Sequence, residues 1–420
     1  MGKTIAEKVL SSHSRIDARA GDMVIASVDY CMSQDGTSTM MIRELESLGF
    51  TAPKTAKGMA MVIDHNSPCP SVDVAKIHDR MRVFARGRSI TLFDVGAGVC
   101  HQVIPESGKV VPGDLIVGAD SHTCTYGALN ACATGLGSAD VAAAAHTGKL
   151  WFKVPYSLQI NVGGGFPEWV GAKDLALHTT ATLTSDGATY KSIEYTGAAI
   201  QSLDMDGRLT LANMAVETGA KFCPFACDKK TSIWLSSHGI SSLKPVFSDE
   251  DASFEKCLEF DASALVPKVA KPHAVDNVCD ASSLKGTQIQ EAFLGTCTNG
   301  RLSDLVAAAT ILKGRQVKHG VRLIVAPASR AVLSEALDLG VAGALLKSGA
   351  TFVAPGCGPC VGTHAGIPSD GENVISTANR NFRGRMGNNK DVGIYLASPT
   401  TVAASALKGE ITDPREVASK

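Results

Sequence analysis

Short apolar runs recur along the chain. Each is followed by a loop rich in glycine and polar residues, then by a segment whose apolar positions repeat with the helical period. In the first third this pattern predicts strands at Met23–Val28, Met59–Ile63, Ile90–Asp94 and Leu115–Gly118, then an alanine-rich helix over Asp140–Lys149. The opening residues Met1–His13 are amphipathic and read as a helix. A strictly alternating strand, Ser157–Val162, precedes a break at Gly163–Gly165 and Pro167. The next hundred or so residues change character: Thr and Ser increase, and helices at Ala172–Leu183 and Leu209–Ala220 alternate with weak strands. Pro267, Lys271-Pro272 and the polar stretch to Ser283 read as a linker. Clean alternation then returns, with strands at Ala292–Gly295, Arg322–Ala326, Thr351–Ala354, Val374–Thr377 and Val392–Leu396. The expected architecture is α/β in three domains, 1–155, 156–266 and 267–420, which suits a chain of 420 residues.

Composition narrows the class of function. Forty Lys plus Arg against 41 Asp plus Glu leave a formal charge of −1, without the basic surplus of a nucleic-acid or anionic-membrane binder. No apolar run approaches a membrane span, and the start does not read as a signal peptide. Twelve cysteines without an export signal read as thiols in a reducing cytoplasm, not as a disulfide scaffold. With 45% hydrophobic and 19% charged residues, the chain has material for buried cores and little for disorder. A cytoplasmic α/β enzyme is the expectation.

The residues able to do chemistry gather just past the carboxyl ends of predicted strands: Asp64-His65, His101, Asp120-Ser121-His122, Cys297, Cys357 and Asn379-Arg380. That edge is where open α/β sheets bind ligands. Cys357-Gly-Pro-Cys360 is the chain's C-x-x-C, and by itself it fits a metal site and a redox pair equally well. Cys297, on the matching turn Gly295-Thr-Cys-Thr-Asn-Gly-Arg301, tips the reading toward an iron–sulfur cluster with three protein ligands and one open iron. Cys223 and Cys227 form a C-x3-C that reads as ordinary packing, as do the scattered remaining cysteines. His13, His78, His178, His238 and His319 read as satisfied structural histidines. Arg383 is assigned no role, and the glycine clusters at 135–137 and 163–165 read as turns lacking the full dinucleotide spacing.

Four motifs in order identify a family resemblance: Gly118-Ala-Asp-Ser-His-Thr123, Gly295-Thr-Cys-Thr-Asn-Gly-Arg301, Pro355-Gly-Cys-Gly-Pro-Cys-Val-Gly362 and Ser376-Thr-Ala-Asn-Arg-Asn-Phe-Arg-Gly-Arg385. Together they resemble the aconitase superfamily, and within it the branch of separate large subunits shared by isopropylmalate dehydratases and homoaconitases. The resemblance implies three aconitase-like α/β/α domains around a central [4Fe–4S] cluster on Cys297, Cys357 and Cys360. It implies catalytic acids and orienters at Asp64, His65, His101, Asp120, His122 and Glu217, paired as Asp64–His65, Asp120–His101 and Glu217–His122. Substrate contacts would come from Gln34, Ser121, Asn213, Asn379, Arg380 and Arg385, with Asn213 also near the cluster. The family's swivel domain is expected to be absent here, so its serine base would come from a small partner subunit.

The implied reaction is the isomerisation of a hydroxy diacid by dehydration and rehydration, with isopropylmalate in leucine biosynthesis first and homoaconitase or methylated-malate chemistry as alternatives. The residue types suit it. Hydroxide leaves poorly without a Lewis acid and a proton donor, and arginine forks hold carboxylates bidentately. Two other classes of reading stand beside it: a thiol redox enzyme using Cys357 and Cys360, and an RNA binder, which the near-neutral charge weighs against.

Overall fold

The computed structural model describes residues 2–417, which form four sheets flanked by helices. A five-stranded parallel sheet runs in the order Ile90–Phe93, Met59–Val62, Tyr30–Gln34, Leu115–Ala119, Cys132–Gly135. Its central strand, Tyr30–Gln34, is buried at every position. A parallel strand covered on both faces carries no polar alternation, and Tyr-Cys-Met-Ser-Gln gives the period-2 pattern nothing to act on. Met23–Ser27 is a strand as expected, but it lies outside this sheet, paired antiparallel with Lys149–Lys153. The helix before that second strand is Ser138–Thr147 and stops at Gly148, whose φ of +76° ends it; Lys149 therefore opens a strand where the pattern suggested the end of a helix.

Ser157–Gly163 is the middle of a three-stranded parallel sheet, between Lys256–Asp261 and Ser192–Thr196. Helix Ala172–Leu183 matches its sequence pattern. The helix expected at Leu209–Ala220 instead starts earlier, capped by Asp204, and runs over Met205–Met214 before tightening into a 3₁₀ turn at Ala215–Thr218. That tighter turn matters, because Glu217 sits on it.

The remaining sheet has seven strands, in the order Val278–Asp280, Lys268–Ala270, Gly393–Ala397, Asn373–Ser376, Glu291–Gly295, Arg322–Ala326, Ala350–Phe352. The five from Gly393–Ala397 onward are parallel. The stretch read as a linker supplies the two antiparallel strands at one end of the sheet, Lys268–Ala270 and, at the edge, Val278–Asp280. Strands of three residues are too short to show a period.

Three apolar clusters fill the molecule. One lies under the N-terminal helix Ile5–Ser14, and one backs the seven-stranded sheet. The largest joins all three main sheets and contains Cys297, Cys357 and Cys360. Each large side chain fully buried there contributes roughly 1.5–3 kcal/mol, so the turns carrying these cysteines are anchored in the best-packed part of the chain.

Candidate active site

The carboxyl ends of the five-stranded and seven-stranded sheets face one another across a cavity of about 270 Å³. Gly356 makes one close join between them. Its φ is +152°, and a Cβ there would lie 2.8 Å from the Asp64 carbonyl oxygen, the atom that accepts from Cys357 N–H at 2.9 Å. Gly98 and Ser329 pair in a backbone bridge nearby, and Val99 N–H reaches Ala328 O.

From the five-stranded side come three histidines, each held by a carboxylate. His65 Nδ1 lies 2.7 Å from Asp64 Oδ1, His101 Nε2 lies 2.7 Å from Asp120 Oδ1, and His122 Nε2 lies 2.7 Å from Glu217 Oε1. Asp64 is wholly buried, and its other oxygen accepts from Cys100 N–H at 2.7 Å, at the start of helix Cys100–Glu106. Asp120 also accepts from His122 N–H and from Gln34 Nε2. Burial acts to lower the pKa of His65, but the charges of Asp64, Asp120 and Asp35 outweigh it and push it up to about 9. For Asp120 burial acts upward, and His101, His65 and His122 overcome it, holding the carboxyl well below its usual range. His122 is lowered, first by burial and then by Arg380, against the pull of Glu217.

From the seven-stranded side come the sulfurs. Cys297 follows strand Glu291–Gly295, while Cys357 and Cys360 follow Ala350–Phe352; all three are buried. Asn213 Nδ2 donates to Cys297 Sγ at 3.2 Å, Asn379 Nδ2 reaches it at 3.5 Å, and Arg385 Nη2 donates to Cys360 Sγ at 3.3 Å. The Cys357 thiol donates to Cys360, and with Arg385 this pulls the Cys360 pKa well below the ordinary thiol value, while the same bond and burial push Cys357 up. Among the described residues, the one set of three ligand atoms all within 4.8 Å of one another is Asp35, Asp64 and His65. The three sulfurs are thus spread wider than a single tetrahedral zinc would gather them. Thiolates at the corners of a larger group, with N–H donors directed at them, suit an iron–sulfur cluster. Burial also leaves Cys357 and Cys360 without the exposed thiolate that disulfide exchange requires.

Gln34, His65, His101, Asp120, Ser121, His122, Asn379 and Arg385 line the cavity with the three cysteines. Asp64, Asn213, Glu217 and Arg380 stand behind them. Arg380 Nε donates to Glu217 Oε1 at 2.9 Å and its Nη1 to Ser121 Oγ at 3.0 Å. Every residue that sequence put at the site is at the cavity or one contact from it. Cys223 and Cys227 are buried elsewhere in the core, and His78 pairs with Asp35.

Two positioning residues were missed. Asp35 accepts from the backbone N–H groups of Asp64, His65 and Asn66, at 3.1, 2.8 and 3.0 Å. Arg301 is wholly buried and donates to the carbonyls of Cys297 and Thr298 and to Gln102. Asp35 follows Gln34, a residue already placed at the site, and Arg301 closes the Cys297 turn; an ionisable residue next to such positions was the available signal.

An open α/β frame with acid–base pairs facing sulfur ligands is an aconitase-like arrangement, and the sequence bears this out: the aconitase family (aconitate hydratase) model matches residues 7–287 and 280–409. The chain belongs to the aconitase family. It is 50% identical over 417 residues to 3-isopropylmalate dehydratase large subunit 2 of Archaeoglobus fulgidus, covering 99% of this chain and 100% of that protein. It is 47% identical over 418 residues to 3-isopropylmalate dehydratase large subunit 1 of Thermotoga maritima, covering 99% of each. Over 395 residues it is also 47% identical to a probable methanogen homoaconitase large subunit of Methanosarcina mazei, covering 94% of this chain and 100% of that one.

Proposed function

We propose that the chain is the cluster-bearing large subunit of a two-chain hydro-lyase that isomerises a hydroxy diacid by dehydration and rehydration, with isopropylmalate in leucine biosynthesis as the substrate. The observation that carries this reading is the convergence of three histidine–carboxylate pairs and three buried cysteines on one cavity. Full-length similarity to dehydratase large subunits supports it.

Cys297, Cys357 and Cys360 would hold one [4Fe–4S] cluster, which supplies a Lewis acid for the departing hydroxyl. His65 remains imidazolium at neutral pH, since its pKa is pushed up to about 9 by the carboxylates that outweigh its burial. It donates the proton that makes hydroxide leave as water. Asp64 accepts the Nδ1 proton of the imidazolium, which orients the ring and leaves the Nε2 proton for the substrate. Arg385 and Arg380 bind substrate carboxylates and stabilise the charge that grows as the alpha proton departs. Ser121, Gln34 and the amides of Asn213 and Asn379 complete the binding surface. The alpha proton goes to a serine of the small subunit, and water adds back across the double bond in the opposite sense. The chain divides at 155/156 and 266/267, a division supported by each of the three main sheets being drawn wholly from one unit.

The test is anaerobic co-expression with the cognate small subunit, followed by a panel of isopropylmalate, homoaconitate and methylated malates. Turnover of isopropylmalate by the pair, and none by the large chain alone, is expected. Preference for homoaconitate would move the protein to the homoaconitase branch. Turnover by the isolated chain would overturn the assignment of the base.

A further inference from the structure

The turn that presents Asn379 and Arg380 is gripped from behind by a buried cation. Lys173, at the start of helix Ala172–Leu183, is 2% exposed, and its Nζ donates to the carbonyl oxygens of Thr377 and Ala378, both at 2.7 Å. These two carbonyls follow strand Asn373–Ser376 where its ladder ends. Thr377 N–H still reaches Phe293 O at 3.0 Å, and Thr377 Oγ1 accepts from Gly295 N–H at 2.9 Å. Ala378 N–H turns back to Ser376 Oγ. Immediately afterward the chain delivers Asn379 to Cys297 and Asn213, and Arg380 to Glu217 and Ser121.

We propose that Lys173 is a positioning residue of the active site, setting the direction in which Asn379 and Arg380 leave the strand by clamping two successive carbonyl oxygens. This rests on the role given to Arg380 above. An apolar side chain could fill the same volume; a lysine this deep is tolerated because acceptors meet its N–H groups. Burial presses its pKa down to about 7, against the pull of Asp304 and the cysteines. The clamp is reachable, because Lys173 lines a second cavity of about 460 Å³, walled by Phe166, Trp169 and Leu203.

The test uses the cluster-loaded two-chain enzyme. Lys173→Met, which keeps volume and removes the donors, is expected to lower kcat/KM about 10²-fold, as a small misplacement of a binding group does. Amide exchange should accelerate in peptides spanning 376–385 and stay unchanged in the sheets. In Lys173→Ala, propylammonium should restore activity saturably, whereas tetramethylammonium, which has no N–H, should not. Activity of Lys173→Met within threefold of the parent would overturn the proposal, as would equal rescue by the two cations. If the parent pair turns over no diacid, the functional reading has failed. The exchange measurement still decides the clamp, and unchanged exchange at 376–385 in Lys173→Met refutes it.

Discussion

The two sides of the cavity are built on the same plan and tuned in opposite directions. On the five-stranded side, residues just past parallel strands are histidines backed by buried carboxylates, which favour the protonated imidazole at His65. On the seven-stranded side, residues in the same topological position are cysteines: amide N–H groups meet Cys297, and the Cys357 thiol with the Arg385 guanidinium pulls the Cys360 pKa down. The contrast is sharpest between these two groups: His65 is pushed toward holding its proton and Cys360 toward losing its own, while burial pushes Cys297 up to about 12 and His122 is lowered. Strand-end geometry therefore says where chemistry occurs, and the polar group one contact behind each side chain says which chemistry it is.

The comparison can be broken most severely on the sulfur side. Replacing Cys297, Cys357 or Cys360 with Ser is expected to abolish iron content and visible absorbance and to reduce turnover more than about 10³-fold, since a three-ligand site has no spare thiolate. Cys223→Ser and Cys227→Ser should leave iron content at the parental value, and equal loss in both sets would erase the distinction between site and core cysteines. On the proton-holding side, His65→Gln should cost about 10²–10⁴-fold in kcat while the absorbance persists. Loss of absorbance together with activity would mean that the two walls are not separable.

The third prediction sharpens the contrast by pH. His65 has its pKa raised from 6.5 to about 9. Its stabilising contribution is therefore complete below about 6.5 and is lost as pH rises through about 9. Turnover that uses its imidazolium should fall over the same alkaline window. Asp64→Asn should move that limb to lower pH, and a limb at the same position in the variant would remove Asp64 as the cause. The smallest effect is expected behind the first contact. Asp35→Asn loses part of the grip on the Asp64–Asn66 turn and should destabilise the fold by about 1–3 kcal/mol in denaturant titrations, with a loss of kcat several-fold at most. A loss as large as that of His65→Gln would promote Asp35 from positioning the turn to taking part in the reaction.

Sequence made the site more legible than the fold around it. The cysteine turns and the Asp-Ser-His turn are local, and their spacing survives without knowledge of tertiary partners. Tyr30–Gln34 was invisible as a strand because Tyr-Cys-Met-Ser-Gln shows neither alternation nor the continuous apolar run that marks its equally buried neighbours Met59–Val62 and Leu115–Ala119. The antiparallel strands Lys268–Ala270 and Val278–Asp280 were read as linker because three residues are too few to display a period. Pairings such as His122 with Glu217 were expected only through the family resemblance, since nothing in spacing brings residues from separate sheets together. Lys173 gave no signal, because a buried cation serving carbonyl oxygens looks like any surface lysine until the chain is folded.

The join between Asp64 O and Cys357 N–H also has a consequence in time. A ribosome releases the Asp64 turn early and the Cys357 turn only when synthesis is nearly finished, so the sulfur cradle takes shape as one of the last events in folding. If these cysteines hold the proposed cluster, iron delivered to a nascent chain would find them without their partners. On that proposal loading would belong after release, when the first-made and last-made parts of the polypeptide have closed on each other, and premature termination anywhere before Cys360 would leave the ligand set incomplete.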